Sequence, residues 1–234
     1  MASHLSHLSV RELLVDFKDL VVGVLPEVLE RRTDVRLKSD GSPVTQGDVF
    51  LEERLRSLAI ERLGEVDFVG EESYLKSSTS SAQWTVVVDP IDGTENFTSG
   101  LKIWGTSVSI WKNSQHYGSL ILLPELGESL MTGDRIKLSR SRISGFSSSL
   151  NEDLVHAVVE SGEARIFGCA VYNLLNVIRG SYKSFVNPVG AKSWDLIGGL
   201  QLALEHGCKV KVNDELYSGG YLEPAGKYRF EIYR

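Results

Sequence analysis

Apolar residues recur at helical spacing from Val10 to about Glu30, at Leu13, Leu14, Phe17, Val21, Val24, Leu25 and Val28, which predicts an amphipathic helix. Residues 31–47, RRTDVRLKSDGSPVTQG, are polar and turn-rich. A second helix is predicted from Asp48 to about Leu63, with Phe50, Leu51, Leu55 and Leu58 on one side and Asp48 placed to cap it. The period then changes. EVDFVG reads as a strand ending at Gly70, followed by a Ser-rich loop to about Ala82, and WTVVVD is an unbroken apolar run of strand length that belongs in a sheet interior. TSVSIW and YGSLILL predict two further strands, with SLMT and RIKLS after them. A Ser-rich stretch at 139–150 reads as a connection between lobes, ahead of helices at 151–161, 169–180 and 195–206 and strands at SYKSFV and YRFEIY. Strands and helices alternate in both halves, which predicts an α/β (α+β) architecture of stacked layers. The expected organisation is one domain over 1–234, with an N-terminal lobe at about 1–138 and a C-terminal lobe at about 150–234.

Composition narrows the function classes. The 234 residues carry 25 Lys and Arg against 31 Asp and Glu, a net charge of −6, which argues against a nucleic-acid polymer as partner. The basic run Arg135, Lys137, Arg140 and Arg142 reads as a solvated loop. Cys169 and Cys208 form no CxxC, so neither a disulfide framework nor a thiolate zinc site is expected. His4 and His7 share a helical spacing but fall in an N-terminal end that reads as disordered. The N-terminus lacks signal-peptide features, and the apolar run LVVGVLPEVL is short and interrupted by Pro26. No membrane partner is expected, and the expected compartment is the cytoplasm.

The candidate chemistry lies where the WTVVV run meets Asp89-Pro90-Ile91-Asp92-Gly93-Thr94. Two carboxylates three residues apart, with Pro90 stiffening the turn, suit a hard cation that takes oxygen ligands. Gly93 permits close backbone approach. Taken alone, the same residues also fit an ordinary turn with Asp92 or Thr94 as a cap. Glu71 and Glu72 follow the EVDFVG strand and read either as solvated charge or as acids at the end of a neighbouring strand. Asp195 begins an apolar helix containing Gly198 and Gly199. It reads either as a plain cap or as an anion that holds a cation where the helix dipole favours phosphate.

The ordered set GEES (70–73), DPIDGTENF (89–97) and WDLIGG (194–199) resembles the signature of the inositol monophosphatase superfamily of Mg²⁺-dependent, lithium-sensitive phosphatases. KSDGSPVTQGD (38–48) is similar to the family's substrate-side loop and helix start, and GCAVYNLL (168–175) to its second-lobe helix. The resemblance spans about residues 9 to 223 and implies a layered α/β/α/β/α sandwich with two or three Mg²⁺ ions per site. It implies Glu71, Asp89 and the Ile91 carbonyl on one metal, and Asp89, Asp92 and Asp195 on the next. It further implies Glu71, Asp48 and Thr94 as the catalytic group that orients and deprotonates water. Asp92, Gly93, Thr94 and Asp195 would be the substrate-binding set, with the Gly93 and Thr94 amides on the phosphate.

The implied function is hydrolysis of a small polyol, sugar or nucleotide phosphate, by an enzyme of a family whose members are often homodimers. The alternatives are a 3′(2′),5′-bisphosphate nucleotidase or a non-catalytic binding protein that keeps the fold. Three departures stand out: a trimmed hairpin after GSLILLPELGESLMTGD, no customary last helix, and Pro188 near the place where inositol-specific members carry a ring-binding Glu. The last leans away from inositol phosphate and leaves Lys192 to be read either as a solvated side chain or as a contact for a second anionic group.

Overall fold

A computed structural model describes residues 9–74 and 82–234. The His4/His7 end and the Ser-rich stretch 75–81 lie outside the described residues. Helix α1 (Val10–Gly23) starts in a capping box in which Ser9 and Glu12 satisfy each other's backbone amides. The single helix expected over 10–30 is instead two, because Pro26 cannot donate to a continuing helix and sits in the first turn of α2 (Leu25–Glu30). The turn-rich stretch holds a small antiparallel hairpin, β1 (Val35–Leu37) with β2 (Pro43–Thr45). Helix α3 (Gln46–Leu63) is capped by Thr45, not Asp48; Asp48 is the third helical residue and reaches back to the Thr45 amide.

After β3 (Val66–Gly70), strand β4 (Trp84–Asp92) runs three residues beyond the apolar run to include both acids. A short helix α4 (Thr94–Thr98) follows, then β5 (Gly105–Lys112), β6 (Gln115–Leu123) and β7 (Glu128–Met131). These strands form a five-stranded sheet in the order β3-β4-β5-β6-β7, antiparallel except for the β3–β4 pair. RIKLS forms no strand, and residues 134–143 run as irregular chain. Within the expected connection lies β8 (Ser144–Phe146), followed by α5 (Glu152–Glu160), β9 (Ala164–Ile166), α6 (Ala170–Ile178) and β10 (Ser184–Ala191). The chain ends with α7 (Ser193–Glu205), β11 (Lys209–Val212), β12 (Glu215–Leu216) and β13 (Tyr228–Tyr233). The second sheet has six strands in the order β12-β11-β13-β10-β8-β9.

Strand alternation assigns the layers. Val86 and Val88 of β4 pack with Leu13, Phe17, Leu51 and Leu55 of α1 and α3. Val87 between them faces the opposite way, into a cluster with Leu174 of α6 and Leu196 and Leu200 of α7. That cluster continues to Phe185, Val210, Phe230 and Ile232 of the second sheet, so α6 and α7 lie between the sheets. Helix α5 packs on β10. The result is the α/β/α/β/α sandwich. Close approach of α7 to its neighbours depends on Gly199, where an added Cβ would fall 2.4 Å from Leu174 Cδ1.

Candidate active site

Strand β4 carries the centre of the site. Its pairing with β5 runs from Asp89 opposite Ser107 to Asp92 opposite Gly105, three residues against two, so one residue is extra. Pro90 has no amide to lose from the ladder and suits that bulge, and its carbonyl accepts from Thr106 Oγ1 at 2.8 Å. In a regular strand residues three apart face opposite sides. The bulge resets the alternation and brings Asp89 and Asp92 toward one another. Gly93, at φ +86°, then turns the chain into α4 with a left-handed residue, where an added Cβ would sit 3.1 Å from both Cys169 Cβ and Gly168 O.

β3 lies parallel beside β4, so Glu71 arrives at the same end, with its amide on the Val88 carbonyl at 3.2 Å. Asp195 arrives from the first turn of α7, where its Oδ2 accepts from the Lys192 amide at 2.8 Å. It is the third helical residue rather than the start of the helix. Oxygens of Glu71, Asp89 and Asp195 all lie within 4.8 Å of one another. Asp92 stands outside that trio, one oxygen accepting from the Val171 amide at 2.5 Å and from Cys169 Sγ at 2.9 Å. Asp48 is fully buried under Thr45, whose hydroxyl donates at 2.5 Å, and its other oxygen faces the Thr94 hydroxyl at 3.4 Å. The same hydroxyl donates to the Ile91 carbonyl at 3.0 Å. The structure therefore gathers Asp48, Glu71, Asp89, Ile91, Asp92, Gly93, Thr94 and Asp195 at one end of the sheet.

So many acids in a shielded place raise one another's proton affinity. Burial, then the charges of Glu71, Asp92 and Asp195, push Asp89 well above the carboxylate range. Burial and the Glu71 and Asp92 charges do the same for Asp195. Asp92 is pushed to about 6 by burial, against its hydrogen bonds from Cys169 and Val171. Asp48 also rises to about 6 through burial, with the Thr45 hydrogen bonds opposing. Asp89 Oδ1 is buried and has no hydrogen-bond partner. A hard divalent cation, which takes oxygen ligands, fits this donor set.

Three residues that sequence reading left without a role complete the site. Lys38, from the β1–β2 hairpin, donates to Glu71 at 2.7 Å and Glu72 at 2.8 Å. Burial would lower its pKa, but the two carboxylates override this and raise it. Glu52, buried on α3, accepts from the Glu72 amide at 2.8 Å and lies beneath Gly70. Its position four residues after Asp48 on one helix was a legible signal. Cys169 ties α6 to Asp92, a contact that nothing in GCAVYNLL announces.

Beside the acids opens a cavity of about 420 Å³ lined by Asp92 and Asp195 on one side and by Ser147, Asn187, Lys192 and Lys227 on another. Asn187 lines both this cavity and a separate hollow of about 220 Å³ with Asp153 and Arg229, whereas Pro188 lines only the latter.

Residues 9–219 match the Inositol monophosphatase family. The chain belongs to that family. It is 33% identical over 123 residues to the bifunctional phosphatase IMPL2, chloroplastic, of Arabidopsis thaliana, covering 52% of this chain and 36% of that protein. It is 24% identical over 200 residues to a fructose-1,6-bisphosphatase/inositol-1-monophosphatase of Aquifex aeolicus, covering 76% and 75%. The chain thus spans little more than a third of the Arabidopsis relative. A solved IMPase/NADP phosphatase complexed with Mg²⁺ and phosphate superposes with a TM-score of 0.77 at 18% identity, covering 96% of this chain and 90% of that one, a likeness of fold. Among the described residues no helix is long and apolar enough to cross a membrane.

Proposed function

We propose that the protein is a Mg²⁺-dependent phosphomonoesterase that hydrolyses a small polyol, sugar or nucleotide phosphate. The observation that carries this reading is the convergence of Glu71, Asp89 and Asp195 around a buried, unpartnered Asp89 oxygen. The Aquifex relative named for two phosphatase activities and the neighbour solved with Mg²⁺ and phosphate support it. Glu71, Asp89, the Ile91 carbonyl, Asp92 and Asp195 are the candidate holders of the cation. When bound, Mg²⁺ supplies Lewis-acid polarisation of the phosphate and acidification of water.

The chain's own groups do the rest. The Gly93 and Thr94 amides, at the turn fixed by the left-handed glycine, receive the phosphate oxygens. Water attacks phosphorus while the bond from phosphorus to the alcohol oxygen breaks; one water proton passes to a carboxylate of the site, and the leaving alkoxide takes up one proton from solvent, so that alcohol and hydrogen phosphate are formed. Thr94, whose hydroxyl donates to the Ile91 carbonyl and faces Asp48 at 3.4 Å, orients the attacking water through its oxygen, and the Glu71 and Asp48 carboxylates are the candidate acceptors of the proton that water gives up. Retention of both Asp48 and Thr94 in contact favours catalysis over binding alone. The burial of α6 and α7 against both sheets supports reading the chain as one catalytic domain with two lobes.

Phosphate release from inositol, sugar and nucleotide monoesters tests the proposal. Release with Mg²⁺ that stops with EDTA is expected; no release from any ester by folded protein at saturating Mg²⁺ sinks it.

A further inference from the structure

The 420 Å³ cavity does not end at the acids. Its lining continues from the acids along the end of β10 to the segment before β13, and includes two lysines, Lys192 and Lys227. Their placement is constructed. Gly190 in β10 adopts φ +92° and has no side chain, and a Cβ there would fall 3.1 Å from Lys227 Cγ, so the Lys227 stem lies against the bare strand. Lys192 Nζ donates to the Ala225 carbonyl at 3.2 Å, tying the start of α7 to the segment that carries Lys227. Among the described residues, the lysines within 4.0 Å of a carboxylate are Lys38 and Lys211, not these two. Ser147 Oγ, buried in the same lining, has no hydrogen-bond partner among the described residues. Among the described residues, the one acid lining the cavity besides Asp92 and Asp195 is Asp40, whose carboxylate is held by the Ser42 amide at 3.0 Å and hydroxyl at 2.7 Å. Away from the proposed metal ligands, the wall therefore carries two ammonium groups against one carboxylate, together with an unused hydroxyl.

We infer that Lys192 and Lys227, with Ser147, form a subsite for a second anionic group, so that the substrate is a phosphate ester whose alcohol portion itself bears a carboxylate or a phosphate. The inference rests on the phosphatase reading above and narrows it. A neutral polyol phosphate leaves both ammonium groups without an anionic partner, Lys192 keeping only the Ala225 carbonyl, while a cationic alcohol portion meets like charge.

Three hexose esters test it: glucose 6-phosphate, 6-phosphogluconate, which adds a carboxylate, and glucose 1,6-bisphosphate, which adds a phosphate. With Mg²⁺, kcat/KM for one of the anionic pair exceeds that for glucose 6-phosphate by about tenfold or more, mostly through KM, as hydrogen bonds to charged groups predict. Whichever of the two leads identifies the second anion. In the Lys192→Met/Lys227→Met protein, which keeps the Lys192 backbone amide on Asp195, this preference ratio falls about tenfold, and added salt compresses it in the parent. A parent ratio near one, or a ratio that stays put because all three substrates fall together, overturns the inference. A second readout needs no turnover. 6-Phosphogluconate raises the unfolding midpoint more than glucose 6-phosphate does in the parent, and the difference disappears in the double variant. Hydrolysis of p-nitrophenyl phosphate without any preference or shift difference leaves the phosphatase standing and removes the subsite. A shift difference without hydrolysis of any ester does the reverse.

Discussion

The two sheets divide the work unequally. The five-stranded sheet places its acids through local geometry: β3 and β4 end together in parallel, and a bulge at Pro90 shifts the register between Asp89 and Asp92. The six-stranded sheet contributes a wall made of residues far apart in the chain, from Ser147 through Asn187 and Gly190 to Lys227. The chemistry thus sits in short motifs on a rigid sheet, and the shape that selects a substrate sits where distant segments meet. This division can be tested at descending scale.

The sharpest break is Asp89→Asn. Turnover should fall by more than about 10³-fold, since a central metal ligand is lost. In metal-free buffer at pH 7.5 the unfolding midpoint should rise, because a carboxyl that burial and neighbouring acids make costly to ionise is replaced by a neutral amide. The sign follows from the raised proton affinity of the cluster. Asp92, ordinarily at 3.8, holds its proton in the folded state up to about 6. Metal-free stability attributable to this group is therefore present below about pH 4 and is lost as pH rises through 6. Mg²⁺ should accordingly raise the midpoint more at pH 7.5 than at pH 5. Calorimetry at the two pH values checks both points, and a lower midpoint for Asp89→Asn would show that the acids are not straining the fold.

Next is Asp48. Burial holds the metal-free Asp48 carboxyl at about 6, and a nearby bound cation lowers it, so kcat/KM with Mg²⁺ should fall on the acid side below that pH as Asp48 gains its proton. Asp48→Asn should cost about 10²-fold, the low end for a proton-accepting group, and should remove that limb from the profile. A limb that persists unchanged would move the role to another residue.

Smaller still is Gly70→Ala, at the end of β3. The new methyl would fall 2.3 Å from Glu52 Cδ. The cost should be about 1–3 kcal/mol by overpacking, with a loss of activity as the Glu52 bond to the Glu72 amide shifts. Denaturant melts and kinetics on one sample read both. On the outer sheet, Asp214→Asn breaks an exposed pair with Arg229 of β13, and should change stability by under about 0.5 kcal/mol. An effect larger than that of Gly70→Ala would reverse the ranking of the two sheets.

Much of this was legible before any coordinates. Helical and strand periods located α1, α3, β4, β5, β6, α6 and α7, and Asp-Pro-Ile-Asp-Gly-Thr stood out as two carboxylates at a strand end, open to a cation site or an ordinary turn, because each depends on neighbours within a few residues. The cap of α3 was misplaced by three residues, since Thr45 and Asp48 share a reciprocal box in which either residue looks like a cap. RIKLS had the alternation of a strand but found no strand to pair with, and pairing is not a local property.

Periodicity states which face of an element is buried and which carboxylates stand at its ends. It does not state what that face meets. That Lys38 reaches Glu71 and Glu72 across more than thirty residues of chain, that Glu52 fills the space Gly70 leaves, that Cys169 holds Asp92, and that Asn187 rather than Pro188 looks into the cavity were settled by packing. Such contacts depend on how layers stack and twist, so a single side chain's partner exists only once the sheets and helices have closed around it.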